Sequence, residues 1–381
     1  MKTDRACKLE QEASNTLSPP LFGIMALMLV GLPLIGIYLS GTQVAPFLKF
    51  PPLTRYVQHA PFSWPYFAFY ALLDAVLLFF SVYLLRQRPG TLRPPAVVSR
   101  RPLPRWGWSG LFCMLGGWFL AWTRFGWFSA WQAHTFCLPW IGYIILVNAL
   151  CVKRRNTSLM TDAPCRFAVL ILVSTLFWWV FEYLNRFVQN WYYVGVDELG
   201  PLAYTAFASL AFATVLPAVL STYRVLLTFS IFGSNRVRTL KIKIPWPRAT
   251  AGVILAGAAA GLALIGVYPD IFFSLLWISP LLIISALQAL SGRETIFSSL
   301  RCGDWRHLIC AALAALICGF FWELWNIGSL ARWKYSLPYV ERYHLFAMPI
   351  IGYGGYLPFG LACLAIGGMM FRRRHLYPDA A

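Results

Sequence analysis

Apolar residues along this chain come in runs of about twenty, the length an α-helix needs to cross a hydrocarbon layer, separated by shorter polar stretches. The runs fall at 21–41, 63–85, 107–123, 134–152, 167–187, 201–223, 250–268, 271–291, 307–327 and 346–371. They are too long and too uniformly apolar for barrel strands, and inside lipid the backbone is satisfied only within helices or a closed barrel. The pattern therefore predicts an all-α fold: a polytopic transmembrane helix bundle of ten spans. The third run is the weakest, because Arg124 follows it closely.

The polar positions that interrupt the runs repeat. Residues 177–193 read FWWVFEYLNRFVQNWYY and residues 320–335 read FFWELWNIGSLARWKY. An offset of 141 pairs Glu182 with Glu323, Asn185 with Asn326, Phe212 with Tyr353, and Leu216-Pro217 with Leu357-Pro358. Upstream, an offset of 137 pairs Trp140-Ile141 with Trp277-Ile278. Two parallel four-helix repeats are expected, over 107–223 and 250–371. Four spans is an even number, so both copies enter the membrane in the same sense, an arrangement known from transporters. The remaining expected units are a tail at 1–20, an N-terminal helix pair at 21–85, basic loops at 86–106 and 224–249, and a tail at 372–381.

Composition agrees with the pattern: 59% of residues are hydrophobic and 12% charged, against about a quarter charged in soluble domains. The net charge of +18 raises the question of nucleic acid, but its distribution answers differently. Of the 32 Lys and Arg, 25 lie in alternate loops and the two tails, as the positive-inside rule requires. The expected location is the inner (plasma) membrane, multi-pass, with both termini cytoplasmic. The expected partner is membrane lipid, with no nucleic acid. Residues 1–20 are polar, with Asp4, Glu10 and Glu12, so the first run reads as a retained helix rather than a cleaved signal. None of the nine cysteines falls in an external loop, and no disulfide framework is expected.

A carboxyl within a span costs ~2.5–3.5 kcal/mol at the helix centre and persists where it faces a partner or cavity. Asn three residues on shares its helix face. Glu323, Glu182, Asn326 and Asn185 are therefore the candidate catalytic residues. Trp322, Trp325, Trp333, Tyr335 and Tyr353 are the candidate substrate-binding wall around a polyene or isoprenoid, whose developing cation ring faces would stabilise. The competing structural reading makes each Glu–Asn pair interhelical glue and the aromatics an interfacial belt. Arg186 stands four residues after Glu182 and Ile327 four after Glu323. An ion pair at Glu182 would leave Glu323 the more reactive carboxyl. Asp74 is a third intramembrane acid. His134 and His344 stand at the external ends of two spans, without spacing that supports a metal, so no metal is expected and no cofactor is indicated.

Trp322, Glu323, Trp333, Tyr335, Pro349 and Phe359 together resemble the membrane-embedded carotenoid (lycopene) cyclases and hydratases: an acid at a helix end, W-x-Y, then a helix opened by proline and ending in an aromatic stretch. That resemblance implies acid-driven chemistry on an isoprenoid. In that family an acidic pair follows the proline, whereas Ile350, Ile351 and Gly352 follow Pro349 here. The chain is also similar to uncharacterised bacterial multi-pass membrane proteins. Three classes follow: an intramembrane enzyme on a lipid-soluble substrate with its carboxylates near the external face, a transporter or flippase, and a non-catalytic scaffold or assembly factor.

The charge pattern yields a topology test. In a cysteine-free background, single cysteines at 160, 240 and 300 should resist a membrane-impermeant reagent added outside, and those at 195 and 338 should react; outside labelling at 160 or 300 would overturn the map.

Overall fold

The computed structural model describes residues 17–52, 54–86, 102–232, 240–243 and 247–377. Most of the basic loop expected at 86–106, part of that at 224–249 and the ends of both tails therefore lie outside the described residues. The long helices are α1 (Pro19–Leu39), α2 (Trp64–Arg86), α3 (Arg105–Trp122), α4 (Cys137–Arg155), α5 (Pro164–Val188), α6 (Pro201–Phe212), α7 (Val215–Leu226), α8 (Pro247–Leu264), α9 (Leu275–Leu290), α10 (Arg306–Gly328) and α11 (Tyr356–Met370). Pro19, Pro164 and Pro201 stand at helix starts, where a missing N–H costs nothing. Short strands β1 (Trp191–Val194) and β2 (Arg332–Tyr335) pair antiparallel, as do β3 (His344–Leu345) and β4 (Met348–Pro349).

Eight helical segments among the described residues are long and apolar enough to cross a membrane, counting α6–α7 as one and the 3₁₀ turn at 350–355 with α11 as another. α9 is a shorter apolar helix. Large apolar side chains such as Leu27, Phe79, Phe112, Leu172, Leu202 and Val253 point outward and are exposed, whereas Asn148, Ser174, Ser221 and Thr222 are buried. The inner polar groups bond to one another: Asn148 Nδ2 donates to Ser221 Oγ at 2.8 Å, and the Tyr143 and Thr222 hydroxyls lie 2.8 Å apart. Apolar outside and hydrogen-bonded polar inside is the arrangement a lipid solvent selects. The chain is a multi-pass helical membrane protein.

Both strand pairs and the loops at 40–63, 123–136, 265–274 and 329–349 gather at one end of the bundle, called here the sheet end. Contacts such as His59 to Asp270, Asn190 to the Phe273 carbonyl and Ser336 to the Val57 carbonyl tie these loops together. Most of the described Lys and Arg cluster at the opposite end, where Arg154 meets Thr228 and Arg166 meets the Met370 carbonyl. Cys302 there is disulfide-bonded, a single bond that the cysteine pattern did not anticipate. Seven other cysteines carry no disulfide.

Two spans are broken near the sheet end, each before a proline. Pro217 lacks an N–H, and its ring clashes with the carbonyl four residues back. The α6–α7 break is held by Ser174, whose Oγ donates to the Phe212 carbonyl at 2.6 Å and accepts the Leu216 N–H at 2.9 Å. The run expected as a helix over 346–371 is helical only from Tyr356, with β4 and the 3₁₀ turn Ile350–Gly355 before it. Pro349 and Pro358 bracket that turn. The run expected from 134 likewise becomes α-helical at Cys137, after a 3₁₀ segment at Gly126–His134.

Small residues let α3 and α4 approach closely. A Cβ at Gly142 would run into the Met114 backbone nitrogen and the Gly110 carbonyl, while Gly116, on the same pair of helices, faces open space. Gly142→Val should therefore destabilise the bundle by about 1–3 kcal/mol and lower its melting temperature in detergent. Gly116→Val should leave that temperature nearly unchanged. Equal effects of the two substitutions would show that close approach is not what matters here.

Candidate functional site

Glu182 near the end of α5 and Glu323 near the end of α10 are both buried, 1% and 0% exposed, and both lie at the sheet end. Glu182 Oε1 accepts three hydrogen bonds: from the Trp178 indole at 3.0 Å, the Trp191 indole at 3.1 Å and the Tyr193 hydroxyl at 2.6 Å. Glu323 Oε1 also accepts three: from the Trp333 indole at 3.3 Å, the Tyr335 hydroxyl at 2.6 Å and the Tyr356 hydroxyl at 3.2 Å. Each glutamate thus takes a Trp and a Tyr from one W-x-Y strand. Residues two apart in a strand share a face, which lets both reach the same oxygen.

The asparagines fix the strands to the helices. Asn185 Nδ2 donates to the Trp191 carbonyl at 2.8 Å, and its Oδ1 accepts the Trp191 N–H at 3.3 Å. Asn326 does the same to Trp333, at 2.9 Å both ways. A two-way amide clasp satisfies backbone groups that would otherwise be buried unpaired. The strands then pair with Trp191 opposite Tyr335 and Tyr193 opposite Trp333.

The third donor differs between the two. Trp178 stands one turn before Glu182 on α5. The position one turn before Glu323 is Gly319, and the Tyr356 ring lies directly against it. Reciprocally, Val215 stands 141 residues before Tyr356.

All six donors line one cavity of ≈140 Å³ at the sheet end, together with Trp277, Trp322, Phe207, Val215 and His134. The two carboxyls stand behind that wall rather than in it. Burial, and next the neighbouring Glu182, push the Tyr193 hydroxyl well above its ordinary pKa, and burial with Glu323 does the same to Tyr335. Both phenols thus stay neutral donors. Burial lowers the pKa of His134, whose ring stacks on Phe207 at 3.6 Å.

Of the expected wall residues, Trp322, Trp333 and Tyr335 line the cavity. Trp325 does not: it is buried against Trp140, Tyr143 and Phe321. Tyr353 is also set aside, donating to the Leu345 carbonyl at 3.2 Å. Arg186 does not pair with Glu182, because its side chain turns outward to the Lys49 carbonyl and the Tyr183 ring while the carboxyl points inward. Arg332 goes to the Ser329 carbonyl and Arg342 over Phe62, so neither clamps Glu323. The expected difference in reactivity between the two glutamates loses its basis. Asp74 lies against Gly354. His344 bonds Glu341 at 3.0 Å, away from His134. Among the described residues, no three His, Cys, Asp or Glu gather as metal ligands would.

Trp178, Trp191, Tyr193, Phe207, Trp277 and Tyr356 also line the cavity and were not among the expected wall residues. The W-x-Y spacing shared by residues 191–193 and 333–335 is the sequence signal that could have added Trp191 and Tyr193 to the wall. No family model, curated protein or solved structure matches this chain.

Asn185→Ala and Asn326→Ala should each cost about 1–3 kcal/mol, by leaving backbone groups unpaired. Near-UV circular dichroism should show loosened tryptophans in both. If one asparagine proves dispensable and the other essential, the two clasps are not equivalent.

Proposed function

We propose that this protein is an intramembrane enzyme that moves protons on an unsaturated, lipid-soluble substrate, isoprenoid in character, bound in the aromatic cavity. One observation carries the reading: every donor that satisfies the two buried carboxyls is also a wall of the same cavity. Structural glue would need the donors but no cavity in front of them. The Glu182–Tyr193 and Glu323–Tyr335 pairs would hold the proton. With the Tyr–Glu hydrogen bond reversed, so that the protonated carboxyl donates to the tyrosine oxygen and the hydroxyl turns to the ligand, the tyrosine O–H protonates a double bond as it takes the carboxyl proton, leaving a carboxylate and a carbocation. Loss of a neighbouring proton from that cation along the reverse path restores both groups. The indole faces stabilise the cation, and the resemblance to carotenoid cyclases and hydratases accords with this chemistry.

The site is read as the product of an internal duplication, covering 107–223 and 250–371 in one membrane orientation. Three features support it. The Glu–Trp–Tyr and Asn–Trp bonds recur one for one, and both glutamates lie at the sheet end. Trp140 packs on Trp322 at 5.0 Å as its counterpart Trp277 packs on Phe181 at 5.6 Å. The basic end would face the cytoplasm of an inner membrane, and the sheet end the exterior. A transporter is the second reading, favoured by the broken span α6–α7 beside the cavity.

The test is isotopic. Membranes containing the protein are incubated in D₂O with a polar-lipid and isoprenoid extract, and the unsaturated lipids are analysed by mass spectrometry. Deuterium should enter a specific lipid, and Tyr193→Phe and Glu323→Gln should each slow its uptake by about 10²-fold or more, the usual worth of a general acid–base. No enzyme-dependent deuterium in any lipid, with movement of a lipid between leaflets instead, would favour the transporter.

A further inference from the structure

We infer that the molecule has one ligand site rather than two, reached from the membrane between α6 and the 3₁₀ segment Gly126–His134, and that it accepts the unsaturated hydrocarbon end of a lipid. This rests on the reading of the cavity as a ligand site. The outer side of the cavity is built by Phe207, Ala208 and Ala211 of α6, facing Ala133, His134 and Phe136. The two sides meet at the stacked rings of His134 and Phe207. α6 is anchored to α5 through Ser209, which Trp179 and Thr175 hold at 2.9 and 3.2 Å, while Leu202 and Leu210 on its outer side are 85% and 51% exposed. Parting one ring stack thus opens a path from the lipid that needs no passage through the strands.

The related positions of the second half are closed. Counting on by 141, Phe207, Ala211 and Val215 become Met348, Gly352 and Tyr356. Met348 is buried, its side chain against Gly352, with Leu337 beside it. Tyr356 fills the space left by Gly319, and α2 covers the outside with Asp74 against Gly354. Val215 is small where Tyr356 is large, so room remains on one side only.

Size and chemistry narrow the ligand. The cavity of ≈140 Å³ is close to the ~150 Å³ of an apolar cavity that takes benzene, which suits one ring or a terminal isoprene unit and not a head group. Six of the wall's indole and phenol groups, those of Trp178, Trp191, Tyr193, Trp333, Tyr335 and Tyr356, are already committed to Glu182 and Glu323. What they offer a ligand is ring faces, and these favour polarisable, unsaturated carbon.

The experiment uses the full chain in detergent, with geraniol and its saturated analogue 3,7-dimethyloctan-1-ol as probes. Native mass spectrometry gives stoichiometry and tryptophan quenching gives affinity. One geraniol should bind per chain, more tightly than the saturated alcohol. Val215→Tyr, which fills the cavity, and Ala208→Phe, which narrows the approach, should each weaken binding about tenfold or more, with helicity and monodispersity unchanged. Two sites per chain, or binding that ignores both substitutions, would overturn the single lateral site and leave the ligand reading intact. Equal affinity for the two alcohols would overturn the preference for unsaturation. Failure of the wild-type protein to bind either probe would remove the proposed function as well.

Discussion

The structure turns on how two carboxyls are kept inside a membrane protein without a cation. A buried polar group lacking partners costs ~1–3 kcal/mol, and a charged one more. Glu182 and Glu323 meet that cost with neutral donors, three each, all indole N–H or phenol O–H groups. Such donors are large and apolar over most of their surface. Gathering them around a carboxyl therefore builds an aromatic shell at the same time, and the outer faces of that shell line the cavity.

That solution also dictates the sheet. A helix alone cannot bring a Trp and a Tyr onto one oxygen from beyond its own end, so the chain must leave the helix and return extended. The asparagine three residues after each glutamate catches the backbone of the returning Trp. The two strands, each held by its own helix, then complete one another's backbone bonding by pairing. The short sheet in an otherwise helical bundle is the place where the two carboxyl sites lock together. Trp178 supplies the third donor to Glu182, and Tyr356, whose ring lies against Gly319, supplies the third to Glu323.

The helices were plain in the sequence, because lipid selects long apolar runs whatever lies inside them. The likeness of the Glu182 and Glu323 segments was plain too, because two acids and two asparagines stand out against an apolar background. What the sequence concealed was direction. Arg186, one turn from Glu182, looked like its partner, yet the helix turns Arg186 out to the Lys49 carbonyl and Glu182 in toward the strands. The strand character of residues 191–194 and 332–335 was hidden by their brevity, four residues each with an interfacial composition. The run 346–371 read as one helix because hydropathy does not register the loss of α-helix at Ile350–Gly355, between Pro349 and Pro358. Trp277 could not be assigned to the wall, since its contact with Phe181 and Trp178 joins segments about a hundred residues apart.

Neutral donors matter for chemistry as well as for folding. An arginine at either site would hold the carboxylate in a charge-assisted pair and fix its protonation state. Indole and phenol groups solvate the carboxyl without supplying a compensating charge. The Oε2 of each glutamate is buried without a hydrogen-bond partner, beside an Oε1 that accepts three. The tyrosine hydroxyls, held at 2.6 Å from each carboxyl and set in the cavity wall, are the groups through which a ligand would meet the carboxyl. A purely structural pair of acids would gain nothing from this exposure of its donors, and the same bundle could be tied by amide–amide contacts such as the Asn185 and Asn326 clasps alone. On the function proposed above, two exchangeable protons held behind an apolar wall are what would separate this site from glue.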